Sequence, residues 1–300
     1  MPTLIPTEPV ALDKCEAFAV GLDHSEGIAV TPKGEIYVGG EAGQIYRIED
    51  DKPRLVANTG GFLLGLAADA DGRIYAIDNV AKTVWRYDPA NGALSAFAGP
   101  AKVKLRVPNW GAFDAHGNYY LTDSGDWMGN DGCIWVVRPG GAVELWSEES
   151  RAFPNGCCLS HDDHSLYVVE SVAGARDVAT VPSAIVEIPI EKSGKAGKRR
   201  VVVDLGIAVP DGVACATDGS LIIACYRPDV IYRWHPKDGL SILAADPRGT
   251  MIAAPTNVAF VGPGLETLVV PNLGRWHLTR GRFGVAGVPL NYPTREQLGG

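Results

Sequence analysis

Short apolar stretches separated by glycine-containing turns recur along the whole chain. The clearest copy spans residues 209–236, where Pro-Asp-Gly opens an apolar segment, turns occur near residues 217–219 and 227–229, and alternating apolar residues lie between them. Asp-Gly between two apolar runs is typical of a β-hairpin, because glycine accepts the positive φ angle that a tight turn needs. The pattern predicts three short strands joined by two turns.

This template occurs six times. Aligned on the glycine turn, the copies place six residues at one equivalent position, which are Glu26, Leu64, Asn109, Asn155, Asp211 and Thr256. Their spacings of 38 to 56 residues are typical of propeller blades with about four strands each. The sequence therefore predicts an all-β fold, a single six-bladed β-propeller domain over residues 1–300, with four antiparallel strands per blade and the equivalent position facing the central channel.

Both ends of the chain have a predicted place in this ring. Residues 1–14, with three prolines in the first ten positions, are expected to form an extended tail. The apolar segment 15–22 has no partner in its own repeat, so we expect it to complete the last blade and hide the open sheet edges. We assign residues 281–293 to the last outer strand and tail.

Two long loops are expected on one side of the ring. Residues 122–132, TDSGDWMGNDG, separate the second and third strands of blade 3, and the insertion 171–183 follows Glu170 in blade 4. Their places in the template predict that both lie at the same mouth of the channel.

Composition narrows the classes of function. The chain is 46% hydrophobic and 21% charged with a net charge of −8, which disfavours nucleic-acid binding, and the short basic run 192–200 is expected to be a solvated loop. Neither a signal sequence nor a membrane-spanning apolar run is visible, so a cytoplasmic location is expected. We also expect a monomer or a weak homo-oligomer. The six cysteines lie in apolar strands and predict buried thiols, with Cys215 and Cys225 as candidates for cross-strand neighbours.

Four occupants of the equivalent position carry oxygen donors. Glu26 and Asp211 offer carboxylates, while Asn109 and Asn155 offer amides. Hard divalent cations prefer such ligands, and two carboxylates in one channel would otherwise repel each other. The residues predict one divalent cation, Ca²⁺ before Mg²⁺, Mn²⁺ or Zn²⁺. The alternative is that these side chains only hold the inner strands together through hydrogen bonds.

The segments EGIAV, PNWGAFDAHGNYY, FPNG and PDGVA resemble the metal-site motifs of the SMP-30/gluconolactonase family of six-bladed propellers, which is also similar to diisopropylfluorophosphatase. The resemblance covers nearly the whole chain from Glu26. It implies cation ligands at Glu26, Asn155 and Asp211, with Asn109 as a further ligand or substrate contact. It also implies a lactonase or related hydrolase in which Asp211 is the general base or nucleophile.

The chain departs from the sugar-lactone members of that family at three positions. Where they typically carry Arg, Asp and Glu, this chain has Val107, Trp110 and Trp127. Loss of these polar side chains favours an apolar or aromatic ester over a polyhydroxylated sugar lactone. Tyr226 follows the second strand of blade 5 and is a further candidate for substrate binding. The two tryptophans could alternatively serve packing alone.

The sequence thus predicts a metal-dependent carboxylic ester hydrolase that opens a lactone or related cyclic ester, with a small molecule as its partner. Three alternatives stay open: a phosphotriesterase-like hydrolase, a metal-assisted lyase or isomerase, and a non-catalytic propeller that binds a ligand or a protein. Metal content distinguishes the last of these from the others, because a binding propeller does not need four oxygen ligands.

Overall fold

Six four-stranded antiparallel sheets surround a central channel in the computed structural model, which describes residues 4–127, 129–171 and 182–299. The innermost strands of consecutive blades pack against one another, and the ring closes where blade 1 meets blade 6. The predicted six-bladed β-propeller is therefore confirmed. Residues 172–181, which form most of the predicted blade 4 insertion, lie outside the described residues.

The strands follow the chain from the channel outwards in blades 1 to 5. Blade 1 contains β2 (Ile28–Val30), β3 (Ile36–Gly39), β4 (Gln44–Glu49) and β5 (Lys52–Asn58), and blade 2 contains β6 (Leu63–Ala68), β7 (Ile74–Asp78), β8 (Thr83–Asp88) and β9 (Ala93–Ala98). Blade 3 contains β10 (Pro108–Phe113), β11 (Tyr119–Asp123), β12 (Cys133–Val137) and β13 (Val143–Ser147), and blade 4 contains β14 (Pro154–Leu159), β15 (Ser165–Glu170), β16 (Ser183–Pro189) and β17 (Arg200–Gly206). Blade 5 contains β18 (Val209–Cys215), β19 (Leu221–Arg227), β20 (Val230–His235) and β21 (Gly239–Ala245), and blade 6 contains β22 (Ala259–Val261), β23 (Thr267–Pro271), β24 (Leu278–Gly281) and β1 (Cys15–Phe18). Two short 3-10 helices occur in the described residues, at Leu12–Lys14 and Pro263–Leu265.

Burial decreases from the second strand of a blade to its outer edge. All five residues of β7 are buried, whereas β5, at the outer edge of blade 1, contains only exposed and half-buried residues. A strand between two sheets is covered on both faces and reads as a continuous apolar run, while an edge strand keeps one face in water. This difference accounts for the apolar IYAID segment and the charged KPRLVAN segment.

Each interface between neighbouring blades has its own apolar core, so that six clusters together fill the ring. Between blades 2 and 3, the ring of Tyr75 packs edge-on against Phe97 and Phe113 with centroids 4.8 and 4.9 Å apart. Such aromatic pairs contribute about 0.5–1.5 kcal/mol beyond their area burial. Stability is therefore distributed around the ring rather than concentrated at one centre.

The N-terminal strand closes the ring as predicted. β1 pairs antiparallel with β24, from Cys15 opposite Gly281 to Phe18 opposite Leu278, and forms the outer edge of blade 6. The Arg280 guanidinium contacts carboxylates of both Glu16 and Asp51 and so ties this edge to blade 1.

Residues 4–14 lie against blade 5. Val10 forms a β-bridge with Ala245, and the Tyr232 hydroxyl donates a hydrogen bond to the Leu4 carbonyl at 2.6 Å. The segment expected to be an extended tail also contains the 3-10 turn Leu12–Lys14.

The assignment of residues 281–293 to a last outer strand is wrong. β1 already occupies the outer edge of blade 6, so no ladder position is left for the C-terminal segment. Residues 284–299, the C-terminal strap, instead cross the face of the ring opposite the predicted ligands. The strap forms a bridge from Gly287 to Ala216 in blade 5, and its Pro293 carbonyl accepts a hydrogen bond from the Ala70 amide in blade 2 at 3.1 Å.

Cys215 and Cys225 are not cross-strand neighbours. Cys215 lies opposite Leu221 and Cys225 opposite Pro210, because the two cysteines occupy opposite ends of the β18–β19 pair. The sulfur nearest to Cys215 belongs to Cys158 of blade 4, with the two Sγ atoms 3.4 Å apart. All six cysteines are free thiols. Among the described residues, no helix is long and apolar enough to cross a membrane.

Candidate metal centre

An extra residue is inserted into the inner strand of four blades. In blade 3, Pro108 lies opposite Asp123 and Gly111 opposite Leu121, so three steps on β10 match two on β11. The same insertion occurs between Leu63 and Leu66, between Pro154 and Cys157, and between Pro210 and Val213. A bulge of this kind re-aims the side chains within it. Each bulge includes the residue at the equivalent position, at positions 64, 109, 155 and 211.

Glycines next to the predicted ligands allow the inner strands to approach closely. A Cβ atom added at Gly156 would lie 2.4 Å from the Asp211 carbonyl oxygen, and one at Gly27 would lie 2.0 Å from the Leu64 carbonyl oxygen. Only a residue without a side chain fits such an approach of two backbones. The Glu-Gly, Asn-Gly and Asp-Gly pairs therefore let side chains from different blades meet in a narrow channel.

Two carboxyl groups are buried at this end of the channel. Glu26 is 8% exposed and Asp211 is 9% exposed. Burial, the Asp211 carboxylate and the Glu41 carboxylate all raise the pKa of Glu26 well above its usual range. Burial also raises the pKa of Asp211 to about 8, against the opposing effect of a hydrogen bond from Asn155. Without a compensating positive charge, the site disfavours two ionised carboxylates.

Two oxygen atoms of the centre lack a partner. Among the described residues, Glu26 Oε2 and Asn155 Oδ1 are buried and accept no hydrogen bond. A buried acceptor without a partner costs about 1–3 kcal/mol, so such atoms are uncommon in native proteins. Unpaired carboxylate and amide oxygens are the donors that hard divalent cations prefer. The residues present therefore fit a divalent cation held by Glu26, Asn155 and Asp211.

The fourth predicted ligand belongs to the neighbouring blade. Asn109 is 5% exposed, on an inner strand that packs against the strand of Asn155. Its Nδ2 atom donates to Ser124 Oγ at 3.0 Å, and Asn155 Nδ2 donates to Ser171 Oγ at 3.3 Å. The sequence analysis missed both serines. The repeated placement of serine directly after the second strand, in the motifs Asp-Ser and Glu-Ser, is the signal that would have found them.

The other two residues of the equivalent position contribute no ligand. Leu64 is 4% exposed, and Thr256 donates its hydroxyl proton to the Glu26 carbonyl at 2.8 Å. Thr256 thus fixes the backbone next to a predicted ligand. The six equivalent positions divide into four oxygen donors, one apolar residue and one backbone contact.

A second polar group lies in the loops of the same mouth. His24 Nδ1 is 3.2 Å from both Asp23 Oδ1 and Glu41 Oε2, and Trp276 packs edge-on against the imidazole with centroids 6.3 Å apart. Among the described residues, Asp23, His24 and Glu41 form a group whose donor atoms could hold a metal ion. All three are partly or fully exposed, and Asp23 already hydrogen-bonds His24 through Oδ1 and accepts from Gln44 Nε2 through Oδ2.

The residues predicted to bind substrate occupy different environments. Trp127 is 51% exposed in the loop after β11, and its ring packs against Phe153 with centroids 5.1 Å apart. Tyr226 is half-buried, and the Arg227 guanidinium lies 4.5 Å above its ring. Both side chains belong to the end of the ring that carries the predicted ligands.

Val107 and Trp110 have little surface at that mouth. Val107 is 4% exposed, and its amide donates to Asp123 Oδ1 at 2.8 Å. Trp110 packs against the core between blades 3 and 4, and a Cβ atom at Gly65 would lie 2.7 Å from its ring. It also lines a cavity of about 800 Å³ at the other end of the channel, together with Cys158, Cys215 and Leu290 of the C-terminal strap. That cavity is separate from the predicted ligands.

A family model described as the SMP-30/Gluconolactonase/LRE-like region matches residues 36–272. No curated protein sequence matches this chain significantly.

Several solved structures share the fold along nearly their whole length. A gluconolactonase from Xanthomonas campestris is 19% identical with a TM-score of 0.72, over 94% of this chain and 96% of that one. The calcium-binding protein regucalcin from Agrobacterium tumefaciens is 19% identical with a TM-score of 0.73, over 98% and 100%. A luciferin-regenerating enzyme is 18% identical with a TM-score of 0.73, over 95% and 100%.

Proposed function

Because the chain belongs to the SMP-30/gluconolactonase/LRE-like family, we propose that it is a divalent-cation-dependent hydrolase that opens a lactone or related cyclic ester. The observation that carries the proposal is the burial of Glu26 and Asp211 in one channel, with unpaired oxygens on Glu26 and Asn155. Burial of two carboxyl groups is costly unless a positive charge compensates it. A propeller that only bound a protein on its face would gain nothing from that cost.

We infer that Glu26, Asn109, Asn155 and Asp211 hold the cation and that the cation is Ca²⁺. The donor set supports this choice, since two carboxylates and two amide oxygens leave room for waters or substrate in a coordination shell of six to eight. Regucalcin, a calcium-binding protein, has the same fold. When bound, the cation would polarise the ester carbonyl and stabilise the charge that develops on its oxygen.

Asp211 is the proposed general base. Its carboxylate would accept a proton from the water that attacks the ester carbonyl and would return that proton to the ring oxygen, which leaves as an alcohol. The carbonyl carbon becomes a carboxylic acid, which releases its proton to solvent. The Asn155 amide, which hydrogen-bonds Asp211, would orient the carboxylate towards that water.

The proposed substrate is an apolar or aromatic cyclic ester. Large apolar side chains are exposed on loops at the mouth that carries the ligands, with Trp127 51% and Trp276 61% exposed. Neither residue can pair with sugar hydroxyls as a carboxylate or guanidinium would, while an indole face covers an apolar ring well. Tyr226 adds a third aromatic ring in the adjacent blade.

Two measurements test the proposal. Elemental analysis of protein purified without chelator should find about one equivalent of divalent cation, and the reconstituted protein should hydrolyse apolar lactones. The substrate panel should include sugar lactones, aryl esters and an aryl phosphotriester, since the last would reveal the alternative hydrolase. Absence of bound cation would refute the centre, and activity on the phosphotriester alone would refute the reaction.

A further inference from the structure

The two amide ligands of the proposed centre share a feature that the carboxylate ligands lack. Each donates its Nδ2 proton to a buried serine that follows the second strand of its own blade, Asn109 to Ser124 and Asn155 to Ser171. Blade 5, which offers Asp211, has Tyr226 at the corresponding place. In blade 1, which offers Glu26, the second strand ends in glycines. A serine therefore follows the second strand in both blades that offer an asparagine ligand and in neither blade that offers a carboxylate ligand.

Each serine also donates its own proton to the next blade. Ser124 Oγ donates to the Pro154 carbonyl at 2.8 Å, and Ser171 Oγ donates to the Pro210 carbonyl. A hydroxyl has a single proton, so a serine that has given it to a carbonyl can only accept from the asparagine. The amide must therefore turn its NH₂ group to the serine. Its oxygen is then directed away from the serine, as the unpaired Asn155 Oδ1 shows.

We propose that Ser124 and Ser171 are positioning residues that present the side-chain oxygens of Asn109 and Asn155 to the cation. The inference rests on the proposed function. An amide rotated by 180° would place its oxygen against a serine oxygen without an available proton and turn N–H groups towards the cation, and both contacts are repulsive. A carboxylate has two equivalent oxygens and no wrong orientation. This difference explains why the blades with Glu26 and Asp211 manage without the serine.

The serines also connect one ligand to the next. The carbonyl that accepts from Ser124 belongs to the residue before Asn155, and the carbonyl that accepts from Ser171 belongs to the residue before Asp211. Blades 3, 4 and 5 are therefore linked at the centre by two equivalent hydrogen-bond chains, each from an asparagine amide through a serine hydroxyl to a backbone carbonyl of the next blade. Outer hydrogen bonds of this kind orient metal ligands, and their loss typically weakens metal binding about 10–100-fold.

Calorimetric titration of the full-length protein with Ca²⁺ tests the inference. Ser171→Ala and Ser124→Ala should each bind Ca²⁺ about 10–100-fold more weakly than wild type. Ser165→Ala is the matched control, because this buried serine lies at the start of β15, the strand that Ser171 follows, and its hydroxyl donates to Glu187 Oε1 at 2.7 Å. It should leave the Ca²⁺ affinity unchanged. Thermal unfolding in chelator should show that all three variants retain the fold.

A second pair of variants separates positioning from packing. In an Asn155→Asp background the ligand has no wrong orientation, so Ser171→Ala should change the Ca²⁺ affinity by less than about threefold, and the double-mutant cycle measures the difference. An equal loss in both backgrounds, or an unchanged affinity of Ser171→Ala, would overturn the inference alone. Failure of wild type to bind Ca²⁺ would overturn the proposed centre and this inference together.

Discussion

Buried carboxylates occur at both ends of the inner strands, and they differ in how their oxygens are satisfied. At the face crossed by the C-terminal strap, Asp69 is fully buried and accepts from Arg73 Nε at 2.6 Å, from the Tyr75 hydroxyl at 2.9 Å, and from the amides of Asp71 and Arg73 at 3.0 Å. At the opposite mouth, Glu26 is almost as buried, yet its Oε2 atom accepts nothing.

The contrast shows that burial of an acidic residue does not by itself indicate a functional site. The carboxylate of Asp69 is surrounded by donors that fix a turn, so it has a structural role in blade 2. At the opposite mouth, burial raises the pKa of both Glu26 and Asp211, and the Asp211 carboxylate raises that of Glu26 further. Among the described residues, Asp78 Oδ2 in blade 2 also accepts no hydrogen bond, so the candidate centre is distinguished by unmet acceptors on two predicted ligands, Glu26 and Asn155, together with the burial of Asp211.

The largest expected effect is on turnover. Asp211→Asn should lower kcat/KM on any hydrolysed lactone by roughly 10²–10⁴-fold, because it removes the proposed base and one of the two negatively charged ligands of the cation. Initial rates and elemental analysis of the variant measure both losses. Asp162→Asn, at the opposite end of the channel, is the matched control and should keep full activity and metal content. Full activity of Asp211→Asn would contradict the assignment.

A change at Asp69 should affect stability instead. Asp69→Asn removes the closer and more buried of the two carboxylates beside Arg73, which is 5% exposed, and leaves only Asp71 Oδ2 at 3.9 Å. Removal of one partner of a buried ion pair costs about 3–5 kcal/mol. Urea unfolding should show this loss, while the cation content per folded molecule stays at the wild-type value. Loss of cation without loss of stability would contradict the division of roles between the two faces.

The pH dependence of stability should differ between cation-free and cation-loaded protein. The folded-state pKa of Asp211, about 8 without cation, exceeds the unfolded value of 3.8, so the folded chain binds more protons between these limits. The free energy of unfolding in chelator should therefore fall by on the order of a few kcal/mol as pH rises from about 4 to about 8. Saturating Ca²⁺ should suppress this fall. Parallel melting curves with and without Ca²⁺ across this range would argue against the centre.

The smallest expected effect concerns substrate choice. Trp127→Glu replaces an exposed indole, at the mouth of the channel that carries the predicted ligands, by a carboxylate that can accept hydrogen bonds from hydroxyl groups. The ratio of kcat/KM for apolar over sugar lactones should fall by about tenfold, since one apolar contact contributes about 1–3 kcal/mol. Trp127→Phe should keep most of the preference. A wild-type protein that prefers sugar lactones would contradict the substrate proposal.

Repetition made the fold predictable from sequence. Six copies of one strand template, each with a glycine turn, predicted the six blades, and the unpartnered segment 15–22 predicted the closure by β1. The C-terminal strap was assigned incorrectly, because its path depends on a sheet edge that the other end of the chain already fills. Local pattern carries no information about such competition between distant segments.

The candidate centre was predicted only in part. The shared template position marked Glu26, Asn109, Asn155 and Asp211 as one set. In the structure, the Asp211 carboxylate raises the pKa of Glu26, and Asn155 hydrogen-bonds Asp211. For Val107 and Trp110, the sequence suggested a pocket mouth, whereas both are held largely in the wall of the ring. An equivalent template position determines where a residue lies along the channel axis. The bulges in the inner strands determine in which direction the neighbouring side chains point.

By itself, the sequence determined the period of the blades, the residues at the start of each inner strand and the chemical type of their donors, because these follow from local spacing and composition. Only the tertiary structure decided which oxygens lack a partner, which serines orient the amides, and which end of the channel contains the desolvated carboxylates. Those properties depend on contacts between blades, since Ser124 and Ser171 act on the backbone of the following blade. The motifs Asp-Ser and Glu-Ser mark the positions of the two serines, but the spacing of residues along the chain does not show which carbonyl of the next blade accepts their protons.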